Sequence, residues 1–185
     1  MRIEIISGSP RQQSLTHRLA LALEKAFKAT TEHEIGLIDL REHDLPAMQA
    51  VFASIEYTPE PYKKISEKIF NADAFVLVTP EYNGSYSPAM KNLLDHFPKQ
   101  YHKVFGIATA SPGAMGGMRA AMQLQQLIFG LFGIGSPHML VVPGVDKKFN
   151  EKGELLDLSF EKNINTFINE FLWLAEKVVE EKVVA

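Results

Sequence analysis

The stretch AFVLVTPEYNGSYSPAMKNLLDH, residues 74–96, decides the fold class of this chain. Residues 74–79 form an almost continuous apolar run, which is typical of a strand covered on both faces of a parallel sheet. Residues 80–84 contain proline, asparagine and glycine and predict a turn directly after the strand. Ser87 followed by Pro88 predicts the start of a helix over 87–97, because serine caps helix N-termini and proline is favoured at the first helical position. A buried strand that turns into a helix is half of a βαβ unit.

The same alternation extends in both directions from this stretch. Apolar runs predict further strands over Arg2–Ser7, Glu34–Asp39, 103–109 and 138–142. Periodicity predicts further helices over residues 15–29, 59–71, 117–132 and 160–182. Right-handed crossovers leave few topologies for such a chain. We therefore predict an α/β fold with a single domain over residues 1–185: a flavodoxin-like, doubly wound, five-stranded parallel sheet of order 2-1-3-4-5 with helices on both faces.

Three local features refine this prediction. Gly133 follows Phe132 at the expected end of a helix, where a left-handed residue is favoured. Residues 41–58 have no clear period and predict a crossover loop with at most a short helical turn. Trp173 falls with Phe167 and Phe171 in the last helix, and we expect all three in its packing stripe.

Composition excludes several classes of function. The chain has 185 residues and a net charge of -3, so it has no surplus of positive charge for a nucleic-acid backbone. Zero cysteines exclude disulfides, iron–sulfur clusters and thiolate chemistry. The N-terminus has no secretory apolar region, and no run approaches the ~20 apolar residues of a membrane span. We expect a cytoplasmic protein that has neither nucleic acid nor membrane as a partner.

The first loop at the predicted carboxyl edge of the sheet, GSPRQQSLT at residues 8–16, carries donors suited to a phosphate. It combines hydroxyls, free backbone N–H groups, a helix N-terminus and a guanidinium. The candidate ligands are Ser9, Arg11, Ser14 and Thr16. The alternative is that Ser14 only caps the following helix, although capping gives no reason for Arg11.

Other phosphate motifs do not match this loop. A dinucleotide fingerprint needs G-x-G-x-x-G, whereas this loop has one glycine. Asp39 ends the second strand, where a ribose-binding acid would stand, but the glycine motif that accompanies such an acid is missing. A Walker A loop needs G-K-[ST], which does not occur, and a phosphatase loop of the small tyrosine type needs a cysteine. A receiver domain needs an aspartate where this chain has Thr79-Pro80. The remaining interpretation is that the loop binds a terminal phosphomonoester without attacking it.

The second and third loops offer a surface for a planar ring. Pro80, Tyr82 and Asn83 expose backbone polar groups and a flat aromatic face, which suit a heteroaromatic ring with polar edges. In the third loop Ser111 can hydrogen-bond, and Gly113 allows close backbone approach. The alternatives are an ordinary Asn-Gly turn and a flexible connector. The six histidines have no metal-ligand spacing, so we expect no metal site.

The pattern G-S-x-R-x-x-S-x-T after the first strand and P-E-Y-N-G-S-Y-S-P-A-x-K-N-x-L-D after the third resembles the NADPH-dependent FMN reductase family of quinone, azo-dye and chromate reductases. The A-S-P-G-x-x-G-G loop strengthens the resemblance, which runs from Arg2 to about Asp157. It implies bound FMN, with its phosphate on Ser9, Arg11, Ser14 and Thr16. It also implies a ring site formed by Pro80, Glu81, Tyr82, Asn83, Ser111 and Gly113.

The resemblance further implies hydride transfer from NADPH or NADH through FMN to a small acceptor such as a quinone, azo compound, chromate or free flavin. The cofactor performs this chemistry, so we name no catalytic side chain. Two alternatives remain: a flavodoxin-type electron carrier without turnover of its own, and a phosphosugar or nucleotide binder without flavin. We also expect a homodimer or homotetramer, because two helices carry more apolar residues than one sheet face needs. The first helix contributes Met90, Leu93, Leu94 and Phe97, and the second contributes Met118, Met122, Leu124, Leu127, Ile128, Leu131 and Phe132.

Overall fold

One parallel sheet of six strands organises the chain. The computed structural model describes the backbone of residues 1–184 and the side chains of residues 1–180. The strands are β1 (Arg2–Ser7), β2 (Glu34–Asp39), β3 (Ala74–Thr79), β4 (Val104–Ser111), β5 (Ile134–Gly135) and β6 (Leu140–Pro143). The helices are α1 (Leu15–Thr30), α2 (Lys63–Asn71), α3 (Pro88–Asp95), α4 (Met118–Gly130), α5 (Val145–Lys148) and α6 (Glu161–Val184). Short 3-10 turns over Glu60–Tyr62 and Leu158–Phe160 precede α2 and α6.

The strand order β2-β1-β3-β4-β5 confirms the predicted fold class, and a sixth strand is added to it. β5 pairs with the first residues of β4, and β6 pairs with its last four residues. The single predicted strand over 138–142 was therefore incomplete. Pro137 lies between the two short strands and has no N–H to donate to a ladder, so the pairing along β4 is interrupted there.

Apolar side chains cover both faces of the sheet. On one face α1 and α6 bury Leu19, Leu23 and Phe171. On the other face α2, α3 and α4 cover the stacked rings of Phe75 and Phe105, whose centroids are 5.2 Å apart. Helices on both faces explain why the strands are nearly continuous in apolar residues.

The helices that follow the first and second loops begin at the predicted serine caps. The Ser14 hydroxyl accepts the His17 N–H at 3.1 Å, and the Ser87 hydroxyl accepts the Met90 N–H at the same distance. Ser87 also donates its hydroxyl proton to the carbonyl of Gly8. The start of α3 is therefore bonded directly to the loop after β1.

Two local predictions were wrong. α4 ends at Gly130, and Phe132, not Gly133, adopts the left-handed conformation, with φ of +58°. Gly133 is required for space instead, because a Cβ there would lie 2.5 Å from the Phe105 ring. Trp173 is 61% exposed and lies outside the packing stripe of α6, whereas Phe167 and Phe171 are buried in it.

Segment 41–58 is irregular and contains no helix, as predicted. Asn92 of α3 holds it in place: its amide donates to the carbonyls of Leu45 and Pro46, and its oxygen accepts the Met48 N–H. The short helix α5 was not predicted. No helix among residues 1–184 combines the length and the apolar character that a bilayer crossing requires.

The expected apolar excess is present on only one of the two helices. The apolar residues of α3 and its C-terminal end are buried within the chain, so the prediction of a partner surface there was wrong. These residues are Met90, Leu93, Leu94 and Phe97. On the second helix and its C-terminal end the prediction holds in part: Met118, Met122 and Phe132 are exposed, Leu127 is half-buried, and Leu124, Ile128 and Leu131 are buried. Phe129, which was not predicted, is also exposed.

Candidate functional site

Three loops meet at the carboxyl edge of the sheet and enclose a cavity of about 170 Å³. They follow β1, β3 and β4, which are neighbours in the sheet. Because all strands are parallel, the loops after their C-terminal ends converge at one edge, where ligands of open α/β sheets bind.

Eight of the ten residues predicted for the site line this cavity. They are Ser9, Arg11, Ser14, Thr16, Pro80, Glu81, Tyr82 and Ser111. Asn83 and Gly113 do not line it: Asn83 is exposed in a turn, and the Gly113 carbonyl accepts the Ser111 hydroxyl proton at 3.2 Å. The lining also contains residues that the sequence analysis did not single out, although they flank predicted ones: Gln13, Leu15, Ala110 and Pro112.

The first loop presents several donors to the cavity. Ser9 and Thr16 are buried, and the Ser9 hydroxyl accepts the Arg11 N–H at 3.4 Å. The N–H groups of Gln12 and Gln13 have no acceptor within the described part of the chain, and Gln13, but not Gln12, lines this cavity. Unsatisfied N–H groups that precede a helix N-terminus favour an anion.

The second loop folds back on itself through a bridge between Tyr82 and Ser85. Asn83 and Gly84 occupy the tip with φ of +52° and +81°, which asparagine and glycine tolerate best. The Tyr82 hydroxyl is buried without a hydrogen-bond partner among the described residues. Arg11 of the first loop lies over the Tyr82 ring, with its guanidinium carbon 4.7 Å from the ring centroid.

The third loop is fixed to the second by Glu81. The Glu81 carboxylate accepts the backbone N–H of Arg119 at 3.0 Å, and the Arg119 guanidinium lies 3.6 Å away. Gly117, which precedes α4, has φ of +90° and provides no side-chain cap. Glu81 therefore supplies, from another loop, the acceptor that the start of α4 lacks.

The residues present fit a flavin mononucleotide. Hydroxyls, free N–H groups and a guanidinium suit a phosphate, and the buried Tyr82 hydroxyl still needs a polar partner. The cavity is smaller than the ~300 Å³ at the lower end for small-molecule sites, so it encloses only part of such a ligand.

A polar cluster that the sequence analysis did not assemble lies beneath the first loop. It contains Ser7, His17, Asp39 and Arg41, and the first three are buried. Burial opposes ionisation of Asp39, but hydrogen bonds from Arg41 outweigh it and lower the pKa of the carboxyl. Burial lowers the pKa of His17, against the opposing charge of Asp39. The sequence signal was present, since Ser7 and Asp39 end adjacent strands.

No group of three or more potential metal ligands occurs among the described side chains of residues 1–180. The described residues that line the cavity offer hydroxyls, one guanidinium and an aromatic face.

Known proteins match both the sequence and the fold. The model of the NADPH-dependent FMN reductase family matches residues 1–148. An FMN-dependent NADPH-azoreductase from Staphylococcus aureus (strain USA300) is 31% identical over 173 residues, which is 91% of this chain and 92% of the relative.

Solved structures show the same fold. FerB, a flavoenzyme NAD(P)H:(acceptor) oxidoreductase from Paracoccus denitrificans, superposes with a TM-score of 0.78 at 24% identity, covering 95% of this chain and 97% of FerB. A flavodoxin from Pseudomonas aeruginosa superposes with a TM-score of 0.57 at 17% identity, covering 92% of this chain and 99% of that one. The family match over most of the chain and the 31% identity together establish that this chain belongs to the NADPH-dependent FMN reductase family.

Proposed function

We propose that this chain, an FMN-dependent NAD(P)H oxidoreductase by family, passes hydride from NADPH or NADH through bound FMN to a small acceptor molecule. One observation supports this most directly: eight predicted ligands from three separate loops line one cavity at the carboxyl edge of the sheet. The acceptor classes that we propose are quinones, azo compounds, chromate and free flavin. Similarity to the S. aureus azoreductase supports azo compounds as one class of acceptor.

We assign the FMN phosphate to Ser9, Arg11, Ser14 and Thr16. Ser14 already caps α1 and has a further lone pair, and the free N–H groups beside it strengthen the anion site. Arg11 has to leave the Tyr82 ring and turn towards the phosphate, which also frees the aromatic face. Arg11 would then contact the Tyr82 ring when FMN is absent and the phosphate when FMN is bound.

We assign the ring to the second and third loops. Tyr82 offers the aromatic wall, and the backbone of Pro80, Glu81 and Asn83 offers polar groups at its edge. Glu81 acts there through its main chain, because its carboxylate is bonded to Arg119. Ser111 and Gly113 would close the far side. The chemistry that FMN supplies when bound is reversible hydride transfer, so no side-chain acid or base is assigned a catalytic role.

The nicotinamide donor would approach the open side, and the cations that could meet a 2′-phosphate are Arg119, Lys147 and Lys148. Lys148 is paired with Asp157 at 2.8 Å, and Arg119, although 72% exposed, lies 3.6 Å from the Glu81 carboxylate. Lys147 is exposed on α5, which favours it over Lys148 and Arg119 as a contact of NADPH. We further propose a cytoplasmic location and a single FMN-binding domain over residues 1–185.

We also propose that the chain is a homodimer or homotetramer, with a second copy covering α4. Met118, Met122 and Phe129 repeat at helical spacing and are 39%, 50% and 76% exposed. Phe132 continues this apolar surface and packs against the exposed Tyr101. We call Met118, Met122, Phe129 and Phe132 the α4 stripe.

Absorption spectroscopy of the purified protein tests the cofactor assignment. We expect a yellow protein that releases FMN, and not FAD, on denaturation. The first loop lacks the glycines that allow a pyrophosphate to approach the backbone. FAD, or no flavin after reconstitution with FMN, would refute the assignment.

Steady-state oxidation of NADPH distinguishes an enzyme from an electron carrier. We expect turnover with a quinone or azo acceptor, with parallel double-reciprocal lines, because donor and acceptor would use the same open face in turn. Intersecting lines would indicate a ternary complex and a separate acceptor site. The absence of turnover with any acceptor would favour the electron carrier.

A further inference from the structure

A partly buried ion pair lies next to the first loop: Asp39 is buried, and the Arg41 side chain is 22% exposed. The Arg41 Nε lies 3.0 Å from both carboxylate oxygens of Asp39, and the Arg41 backbone N–H donates to Asp39 Oδ1 at 3.1 Å. His17 Nδ1 lies 3.6 Å from Asp39 Oδ2 and 2.9 Å from the hydroxyl of Ser7. We call Ser7, His17, Asp39 and Arg41 the loop brace.

The loop brace holds residues 8–14 at three points. Ser7 immediately precedes the loop, and His17 follows it within the first turn of α1. Between them, Arg41 Nη1 donates to the carbonyl of Gln12 at 3.1 Å. Both ends and the middle of the loop are therefore fixed by residues that do not themselves line the cavity of Ser9 and Thr16.

Stability alone does not explain this arrangement. A buried ion pair roughly breaks even against apolar residues of the same size, because desolvation offsets the attraction. Asp39 also occupies an unfavourable place for a carboxylate, since the loop above it is suited to an anion. The Arg41 guanidinium offsets this charge while bonding the loop itself. Loss of the guanidinium would leave a buried carboxylate beneath the phosphate and would release Gln12.

We propose that His17, Asp39 and Arg41 are positioning residues that hold the loop in the shape that binds a phosphate, and so determine the preference for FMN over riboflavin without contacting either flavin. The proposal rests on the proposed function, which puts the FMN phosphate on this loop. It also gives Asp39 a role: the carboxylate at the end of β2 anchors a loop instead of binding a ribose.

Titration of the apoprotein with FMN and with riboflavin, followed by quenching of flavin fluorescence, tests this. Arg41→Met should raise the Kd for FMN by about 10- to 100-fold, the range found when the partners behind metal ligands are removed. The Kd for riboflavin should change by less than about threefold, since it lacks the phosphate that the brace serves. A general loosening of the fold would weaken both flavins alike.

Matched variants separate positioning from folding. His17→Asn retains a polar atom near the place of Nδ1 and should bind FMN nearly as wild type, whereas His17→Leu should lose FMN affinity selectively. His33→Leu is the control, because His33 lies at the surface and pairs with Glu176 at 3.0 Å. If Arg41→Met does not fold, Arg41→Lys keeps the charge and should give a smaller, still FMN-selective loss.

Three results would overturn the proposal. Equal losses for both flavins would make the loop brace merely structural, and unchanged FMN binding in Arg41→Met and His17→Leu would remove its role altogether. If the wild type prefers FMN and the variants retain its FMN affinity, only the role of the loop brace is refuted and the proposed function stands. A wild-type protein that binds both flavins equally, or neither, refutes the phosphate site itself and the brace with it.

Discussion

At Arg11, one guanidinium has two possible partners. It lies over the Tyr82 ring in this structure, while its loop presents hydroxyls and N–H groups to the adjacent cavity. Arg11→Ala should weaken FMN binding by about 1.5–3 kcal/mol, the usual contribution of a hydrogen bond to a charged group. Isothermal titration with FMN measures this directly.

Arg18→Ala is the matched control for Arg11. Arg18 lies in the first turn of α1 and does not line the cavity, and its guanidinium donates to the carbonyl of Phe149 at 3.2 Å. FMN affinity should be unchanged in this variant. If Arg11→Ala also binds FMN as wild type, Arg11 remains on Tyr82 and the phosphate is held by hydroxyls and N–H groups alone.

Glu4 is a carboxyl in the middle of a buried strand, where a hydrogen bond from Arg2 Nε to its Oε1 at 2.9 Å only partly offsets the cost of burying its charge. Its side chain is fully buried, its Oε2 has no hydrogen-bond partner among the described residues, and burial raises its pKa. Because the folded chain binds this proton more tightly than the unfolded chain, the contribution of Glu4 falls as pH rises from 4.5 through the folded pKa.

Glu4→Gln removes the charge and should therefore stabilise the protein at pH 7. We expect a rise in Tm of roughly 2–4 °C, which corresponds to about 1 kcal/mol in a chain of this size. The gain should vanish at pH 4, where Glu4 is protonated in the wild type. Thermal melts of both proteins at the two pH values check this, and an equal gain at both would show that charge is not the cause.

At the scale of the elements, the end of α4 shows how packing overrides a local signal. Gly133→Ala should destabilise the fold by about 1–3 kcal/mol, because its Cβ would lie 2.5 Å from the buried Phe105 ring. Gly130→Ala should instead stabilise it by about 0.5–1 kcal/mol, since Gly130 ends the helix and a Cβ there meets nothing within 4 Å. Urea denaturation of the pair measures both effects, and a harmless Gly133→Ala would mean that Phe105 can shift.

Elements with strong local patterns were predictable, and those set by neighbours were not. β1, β2 and β3 match their predicted bounds to the residue, because each is a short apolar run between turn residues. The division into β5 and β6 depends on which part of β4 is free to pair, which no local pattern records. The exposure of Trp173 likewise depends on which side of α6 meets the sheet.

The candidate site follows the same rule. Ser9, Arg11 and Tyr82 were predictable, because loops after neighbouring parallel strands must meet at one edge. The loop brace was harder to predict, since the pairing of Asp39 with Arg41 and His17 requires the side-chain directions at that edge. Asn83 and Gly113 belong to the sequence motifs but do not line the cavity, because they occupy loop tips.

At the scale of the whole molecule, two exposed apolar surfaces differ in what surrounds them. The α4 stripe combines four large apolar side chains on the face of the sheet that α2 and α3 also cover. Trp173 lies on α6, on the opposite face, and is 61% exposed. Extended exposed apolar patches mark partner surfaces, whereas single exposed side chains are common.

Substitutions of Phe129 in the α4 stripe and of Trp173 on α6 therefore distinguish a contact between copies from ordinary surface exposure. Light scattering at micromolar concentration should give the wild type a mass that is a multiple of 20.7 kDa. Phe129→Glu should shift the mass towards 20.7 kDa, because a charge in a closed two-fold contact is desolvated in both copies. Trp173→Glu, an equally drastic change at a comparably exposed position, should leave the assembly intact. A wild-type mass near 20.7 kDa, or equal dissociation by both variants, would rule out the α4 stripe as the contact between copies.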